Sequence, residues 1–416
     1  MQKKIIVVGG GIIGLSCAFY LHQEGHHVTI LDQSEMNQGA SYVNAGYLTP
    51  SHIVPLAAPG MAAKGLKWMF DSSSPFYIQP RLNLDLIDWG MKFMRSCSQK
   101  HVNRSLKVIR DVNLFSKELY QDLATLPTLD FHLEDRGLLM VFQTAAAEKE
   151  EEIVMREAKK LGLDVEKISP KKVQELQPDV SMDIAGAYWY RCDAHSTPAT
   201  FMQQLKSYLV KEGVKIHQNV KVTSLIKKGK TIQAVQTDQS VFSADEIVIA
   251  TGAWTQKLLQ PLGINLPLQA GKGYRLDETQ PTGITLPAIL MERKVAVTPM
   301  KGFTRFSGTM EIAGINHNIR QKRVDAIAHA ASQYYPGLKL SQFTKERVKC
   351  GLRPLSPDGL PFIGRHSNFF NLTIATGHAM MGWSLGPATG KLVAEVISNQ
   401  KTSLDLTAFA TERRYG

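Results

Sequence analysis

Three glycines, Gly9, Gly11 and Gly14, stand in the spacing G-x-G-x-x-G. An apolar run over residues 5–8 leads into them, and a stretch with helical character follows from Ile12 to about Glu24, with Gly25 where a helix C-cap would stand. A second apolar run, 28–31, ends in Asp32. This pattern reads as strand, tight turn, helix, strand, and its chemistry is dinucleotide binding. The first glycine permits the turn, the second admits a pyrophosphate to the backbone, and the third lets helix and strand pack closely. The helix start presents free N–H groups and the positive end of a dipole. Asp32, eighteen positions after Gly14, suits a ribose hydroxyl and favours a free ribose over a 2′-phosphate. A merely structural turn is the alternative, and the flanking strand, helix and acid weigh against it.

The rest of the chain must position that site. Its 416 residues suffice for two domains with cores. Cys17, Cys97, Cys192 and Cys350 are scattered without C-x-x-C spacing, so no disulfide framework or zinc site is expected, and no metal. Cys17 falls inside the first helix as a small core residue. The apolar stretch 5–21 behind Lys3 and Lys4 could be taken for a signal anchor, but its glycines and short length argue against that. The expectation is a cytoplasmic protein. The net charge of +11 suits anionic partners, although the short clusters 227–230 and 320–323 read as solvated surface.

Taken in order, residues 39–46 form a small, polar loop able to lie along a cofactor. Residues 61–76 interleave Trp68, Met69, Phe70 and Phe76 with Lys64 and Lys67, a pattern that docks on a membrane surface or packs internally. Apolar periodicity predicts one helical stretch over 85–126, a strand over 137–142, a charged helix over 145–161 and a short strand over 187–190. Pro198 opens a helix reaching about 212. Strands follow over 214–217, 220–227 and 231–237. The apolar run 247–250, a strand buried on both faces, leads into the turn Thr251, Gly252, Ala253 and Trp254. Alternation over 266–315 suggests antiparallel strands, and 321–335 reads as helix. The tail holds Gly351-Leu352-Arg353-Pro354, a strand over 372–375, the loop Thr376-Gly377-His378, then Gly382-Trp383 and a helix over 386–397.

These motifs, in this order, resemble the FAD-dependent D-amino-acid oxidase family. They are closest to its bacterial D-amino-acid dehydrogenase branch (the small-subunit type), through Asn44-Ala45-Gly46, residues 66–70, Lys272-Gly273-Tyr274, residues 351–364 and the His378 to Trp383 loop. The resemblance implies an α/β fold with an α+β substrate domain. A Rossmann-like FAD-binding domain would comprise 1–60, 195–260 and 345–416. A discontinuous second domain with a mostly antiparallel sheet would comprise 61–194 and 261–344. It further implies Asp32 at the adenosine ribose, Gly9, Gly11 and Gly14 at the pyrophosphate, Ser41, Asn44, Ala45 and Gly46 along the flavin, and Val222 near the adenine. Gly382 and Trp383 would lie at the start of the last helix, beside the flavin's pyrimidine edge. Ile12, Ile13, Gln33, Ala250, Thr251, Gly252, Trp254, Gly351, Gly377, His378 and Met381 complete the expected cofactor-binding set. Arg353 matches the arginine that grips the substrate carboxylate, and Tyr274 the region bordering the pocket. Where the family has a glycine and a smaller residue after the histidine, this chain has Ala379, Met380 and Met381, which either narrow the pocket or fill core.

The implied reaction is oxidation of a D-amino acid to an imino acid, which water converts to a 2-oxo acid and ammonia. Arg353 would bind the carboxylate through two parallel N–H bonds. His378 is either a base or a residue that orders its loop. Electrons would pass to a quinone or other acceptor, with reversible attachment to the inner face of the cytoplasmic membrane through 68–70. Two rival readings are an oxygen-using oxidase of glycine, N-methyl amino acids or a hydroxyproline isomer, and a flavin-bearing RNA-modification partner. The absence of a long basic or aromatic-rich module weighs against nucleic acid.

Overall fold

The computed structural model describes residues 1–61 and 76–416. Trp68, Met69 and Phe70, with Lys64 and Lys67, lie outside the described residues. The amino-terminal pattern folds as its spacing predicts. Strand Lys4–Val8, helix Ile12–Gln23 and strand His27–Leu31 form a parallel β-α-β unit. Strand Lys4–Val8 also pairs with Glu246–Ile249, on its other edge. The connections therefore leave this strand in opposite directions, and the sheet opens a crevice beyond its carboxyl end.

The sheet has six strands among the described residues, in the order Lys215–His217, His27–Leu31, Lys4–Val8, Glu246–Ile249, Leu372–Thr376, Phe362–Arg365. All pairs are parallel except the last. Its central strands are apolar throughout because helices cover one face and other chain segments the second. Val7, Leu15, Ile247, Val248 and Ile249 are fully buried, each contributing roughly 1.5–3 kcal/mol by leaving water. Helix Ile12–Gln23 packs on helix Gly386–Ile397 so closely that a Cβ at Gly390 would strike the backbone carbonyl of Ser16.

A second sheet runs Lys349–Leu355, Gln269–Glu278, Phe303–Ile312, Val295–Met300, Ala288–Leu290, Leu138–Phe142, Gly186–Tyr190, Val165–Ile168, with Phe76–Ile78 added on Phe303–Ile312. It is antiparallel apart from two pairs. Strand Lys349–Leu355 falls in a segment, 345–416, that sequence grouping set with the nucleotide-binding unit. It hydrogen-bonds instead to Gln269–Glu278, so the segment crosses from one sheet to the other. A three-stranded sheet, Tyr47–Leu48, Ala194–Ser196 and Leu133–Glu134, lies between.

The helical stretch expected over 85–126 is two helices, Leu84–Ser96 and Gln99–Ala124. Ser98 is extended (φ −128°) and its hydroxyl accepts the His101 N–H. Apolar periodicity runs through such a break because the cap restarts a helix without changing side-chain composition. Helix Gln99–Ala124 then packs against Gly386–Ile397.

Two glycine substitutions should move stability in opposite directions. Gly390→Ala overpacks a backbone contact and should cost about 1–3 kcal/mol. Gly90→Ala, in a helix position with open space around it, should gain roughly 0.5–1 kcal/mol. Urea unfolding midpoints check both, and a neutral Gly390→Ala would contradict the close helix pairing.

Candidate active site

A cleft of about 1470 Å³ lies where the carboxyl ends of the parallel strands meet the edge of the second sheet. Drug-sized ligand sites occupy roughly 300–1,000 Å³, so this one has room for a dinucleotide together with a small substrate. Its wall on the first sheet is the glycine turn itself. Gly9 (φ +103°) sits against the Ala250 carbonyl, where no Cβ fits. Ser41 Oγ accepts the Ile12 N–H at 3.0 Å, capping the helix start. Asp32 Oδ2 accepts the Gly10 N–H at 2.6 Å, while Oδ1 accepts both the N–H and the hydroxyl of Ser34. The carboxylate thus braces the turn, and the second lone pair of Oδ2 is left for a ligand.

Eighteen of the sequence-identified residues line this cleft: Gly9, Gly11, Ile12, Ile13, Asp32, Gln33, Ser41, Asn44, Val222, Ala250, Thr251, Gly252, Trp254, Gly351, Arg353, His378, Gly382 and Trp383. The others stand behind it. Gly14 lies under the Gly9 carbonyl. The Ala45 carbonyl accepts the Thr298 hydroxyl at 2.8 Å. Gly46 donates to Asn44 Oδ1 and accepts from the Ser196 N–H. Gly377 (φ +77°) packs on Phe362. Met381 packs against the core, its sulfur 3.8 Å from Asn113 Nδ2, and Met380 is exposed. Neither methionine narrows the cleft.

Tyr274 is the main correction. Side chains alternate along strand Gln269–Glu278; Gly273 and Arg275 face the cleft, so Tyr274 faces the opposite core. It is buried there, its hydroxyl donating to Glu311 Oε2 at 3.0 Å. The last helix runs Gly386–Ile397 as the sequence pattern placed it, and Gly382 and Trp383 occupy the turn that leads into its start. Trp383 is held by its indole N–H to Ser196 Oγ (3.0 Å) and by Tyr120, which donates to its carbonyl (2.7 Å).

Arg353 reaches the cleft across Gly273, whose missing side chain leaves the space the guanidinium occupies. Nη1 donates to the Thr309 carbonyl at 3.1 Å, and no carboxylate among the described residues pairs with it. Burial holds its pKa down, to about 10. Asp358, five residues along the chain, is not its partner, because that carboxylate is taken by Arg413 at 2.6 Å. Thr309 has φ +65° and sits where the register of the pair Gln269–Glu278 and Phe303–Ile312 shifts. A β-branched residue there is strained, and the bulge turns its carbonyl onto Arg353. Sequence reading missed Thr309, since nothing in its neighbours announces a bulge.

His378 is buried, with Nε2 2.9 Å from the Thr389 hydroxyl. Burial depresses its pKa to about 3, so the ring is neutral near pH 7. The next residue, Ala379, donates its N–H to the Pro354 carbonyl (2.9 Å) and fixes this loop beside Arg353.

Arg275 and Arg305 were also missed. The Arg305 guanidinium is buried, holds both oxygens of Asp277, and donates to the carbonyls of Tyr42 and Asn44. Arg275 donates to the Tyr42 carbonyl at 2.7 Å, and burial, with Arg305 beside it, brings its pKa down to about 10. Lys221, Lys257, Lys345 and Lys349 join Arg275 and Arg353 on the cleft wall, against Asp32 and Glu346. The cleft lining is therefore net positive where an anionic ligand would lie.

Comparison with known proteins agrees with this fold. The family DAO, FAD dependent oxidoreductase, matches residues 4–396. A D-amino acid dehydrogenase of Neisseria meningitidis is 31% identical over 411 residues, covering 96% of this chain and 97% of that protein. One from Vibrio cholerae is 32% identical over 424 residues, covering 97% of each. Among solved structures, the glycine oxidase of Geobacillus kaustophilus superposes with a TM-score of 0.77 at 21% identity over the whole of both chains. That of Bacillus cereus gives 0.76 at 20% identity over 99% of each. These structures share the fold. With a family match spanning nearly the full length, the chain belongs to the DAO family of FAD-dependent oxidoreductases.

Proposed function

We propose that the protein oxidises D-amino acids to imino acids, which water converts to 2-oxo acids and ammonia, and that it delivers the electrons to an acceptor such as a membrane quinone. The observation that carries this reading is Arg353: a half-buried guanidinium, without a carboxylate partner among the described residues, facing a cleft of dinucleotide size. A partly desolvated charge without a counter-ion is costly, and a substrate carboxylate would supply the missing partner. The choice of D-amino acids follows the curated relatives. The glycine oxidases contribute the fold alone.

The cleft suits FAD. Gly9, Gly11 and the helix start at Ile12 would take the pyrophosphate, Asp32 and Gln33 the ribose, Val222 the adenine side, and Ser41, Asn44, Thr251, Trp254, Gly351, Gly382 and Trp383 the flavin. When bound, FAD supplies an acceptor for the α-hydrogen and its electron pair. The chain's own part is positioning. Arg353 fixes the carboxylate by a two-point contact, with the Thr309 carbonyl and the space over Gly273 setting its direction. His378 orders the loop through the Thr389 hydroxyl, and its ring stays neutral near pH 7. The start of helix Gly386–Ile397, just behind Gly382 and Trp383, favours negative charge on that side of the cleft. The substrate amine must be neutral to react and loses its proton to water.

Electron delivery at a membrane surface is consistent with an apolar row on helix Leu84–Ser96. Leu84, Ile87, Met91 and Met94 are all exposed, and Leu82 extends the row. No described helix is long and apolar enough to cross a membrane, so contact would be peripheral. Ile87→Glu with Met91→Glu should abolish cosedimentation with vesicles of anionic lipid. Binding equal to wild type would place the contact elsewhere.

Anaerobic flavin bleaching with D- and L-amino acids, followed by turnover with a quinone analogue or with oxygen, tests the activity. Arg353→Lys keeps the charge but loses the fork, and should lose about 1.5–3 kcal/mol of transition-state stabilisation, roughly 10- to 150-fold in kcat/KM. Gly273→Ala, which displaces the guanidinium, should fall in the same range while keeping FAD. Wild type should prefer an amino acid to its amide, and Arg353→Leu should lose most of that preference. An unchanged preference would reduce Arg353 to a brace.

The pH profile offers a separate check. A histidine with a lowered pKa stays neutral down to that value, so His378 contributes no titration between pH 5 and 9. The rise of kcat/KM with pH should follow substrate amine deprotonation and persist in His378→Gln. Loss of that limb in the variant would identify His378 as the base.

A further inference from the structure

Away from the cleft, the three-stranded sheet gathers three ligand-type side chains on one face. Glu134 lies opposite His195 in the antiparallel pair Leu133–Glu134 and Ala194–Ser196. His132, two residues before Glu134, shares its face. The His132 and His195 rings are 5.4 Å apart, and His132 Nε2 is 3.0 Å from Glu134 Oε1. One ligand atom from each of the three residues falls within 4.8 Å of the others.

His195 is the unusual member. It is fully buried, yet neither ring nitrogen makes a hydrogen bond of good geometry, the Pro299 backbone being its one weak partner. A buried polar atom left unmade costs roughly 1–3 kcal/mol, and a histidine can leave two. Its neighbours are well supported. Thr197 Oγ1 accepts the Lys301 N–H at 2.9 Å and meets His132 Nδ1 at 3.0 Å. That contact orients the His132 ring with Nε2 toward Glu134 and His195, the arrangement by which an outer hydroxyl aims a ligating imidazole.

We propose that His132, Glu134 and His195 form a binding site for a divalent transition-metal ion of the zinc class. Two imidazoles and one carboxylate suit such an ion, whereas calcium and magnesium prefer oxygen ligands throughout. Tetrahedral bonds of about 2.0–2.2 Å would bring the ligand atoms to roughly 3.3–3.6 Å from one another. The partly exposed Glu134 can make that closure, since its contact with Arg136 is a loose 3.8 Å at the surface. The fourth position opens to solvent on the Glu134 side. The ion would clamp the strand whose next residue, Ser196, supports the Trp383 indole at the cleft. The role is structural, and it is independent of the substrate proposed above.

The test uses the holoenzyme, washed with EDTA and desalted, titrated calorimetrically with zinc chloride and, separately, magnesium chloride. One zinc ion per chain should bind with micromolar or tighter Kd, raise Tm and leave the flavin spectrum unchanged, with no magnesium binding. Glu134→Gln and His132→Gln, both at partly exposed positions, should keep FAD and each weaken zinc binding by more than the roughly 10- to 100-fold lost when only an outer supporting group is removed. His195→Ala should abolish it. Substoichiometric zinc binding, or a Kd unchanged in Glu134→Gln and His132→Gln, would overturn the site even if His195→Ala does not fold.

Discussion

One buried guanidinium ties together the two sheets that wall the cleft. Arg305 stands on the second sheet, yet its donors go to the carbonyls of Tyr42 and Asn44, in the loop after the nucleotide-binding unit. Asp277 neutralises it through both oxygens, so the ion pair is not left with an uncompensated charge. Every donor of that planar fork points in a fixed direction. The loop carrying Ser41 and Asn44 is thereby held at one height above the sheet edge. Arg275, donating to the same Tyr42 carbonyl, adds a second tie. Together with the Thr298 hydroxyl on the Ala45 carbonyl, these contacts fix the separation between the glycine turn and Arg353.

The same economy of charge runs through the site. The central glycine turn has no charged group of its own apart from Asp32, which is engaged by Gly10 and Ser34. Positive charge enters from the second sheet and from the lysines around the mouth. An anionic dinucleotide and a carboxylate substrate would both be drawn to this net positive lining. Arg353 differs from Arg305 in being left without an anion, and that difference separates a structural arginine from a binding one more clearly than burial does. The strain at Thr309 supports the same distinction. A left-handed β-branched residue costs of order 1–3 kcal/mol, and here its carbonyl orients the binding guanidinium.

Much of this was legible in the chain, for local reasons. The G-x-G-x-x-G turn, the buried strand before Thr251 and the helix after Pro198 are set by nearest-neighbour chemistry: φ freedom, apolar continuity and a missing N–H. They formed within a residue or two of where the pattern put them. The exceptions are instructive. Ser98 split an expected helix because one hydroxyl caps a backbone N–H, an event too small to alter periodicity. Tyr274 was placed near the pocket by a motif, but in a strand a motif names neighbours on both faces, and the pleat put Gly273 and Arg275 on the cleft side. Met381 lay in a loop that does line the cleft, and its side chain turned to the core.

The sequence by itself therefore determined the dinucleotide turn and the acid that follows it, and the family resemblance of its motifs singled out Arg353. The turn and its acid depend on residues close in the chain, where spacing stands for geometry. Tertiary structure alone decided which arginine is neutralised and which is left open, that Thr309 steers Arg353, and that His132 and Glu134 meet His195 some sixty residues away. Those outcomes depend on strand register and on which face of a strand is buried. A shift of one residue in register would reverse every one of them, and no local pattern encodes the register between strands so far apart.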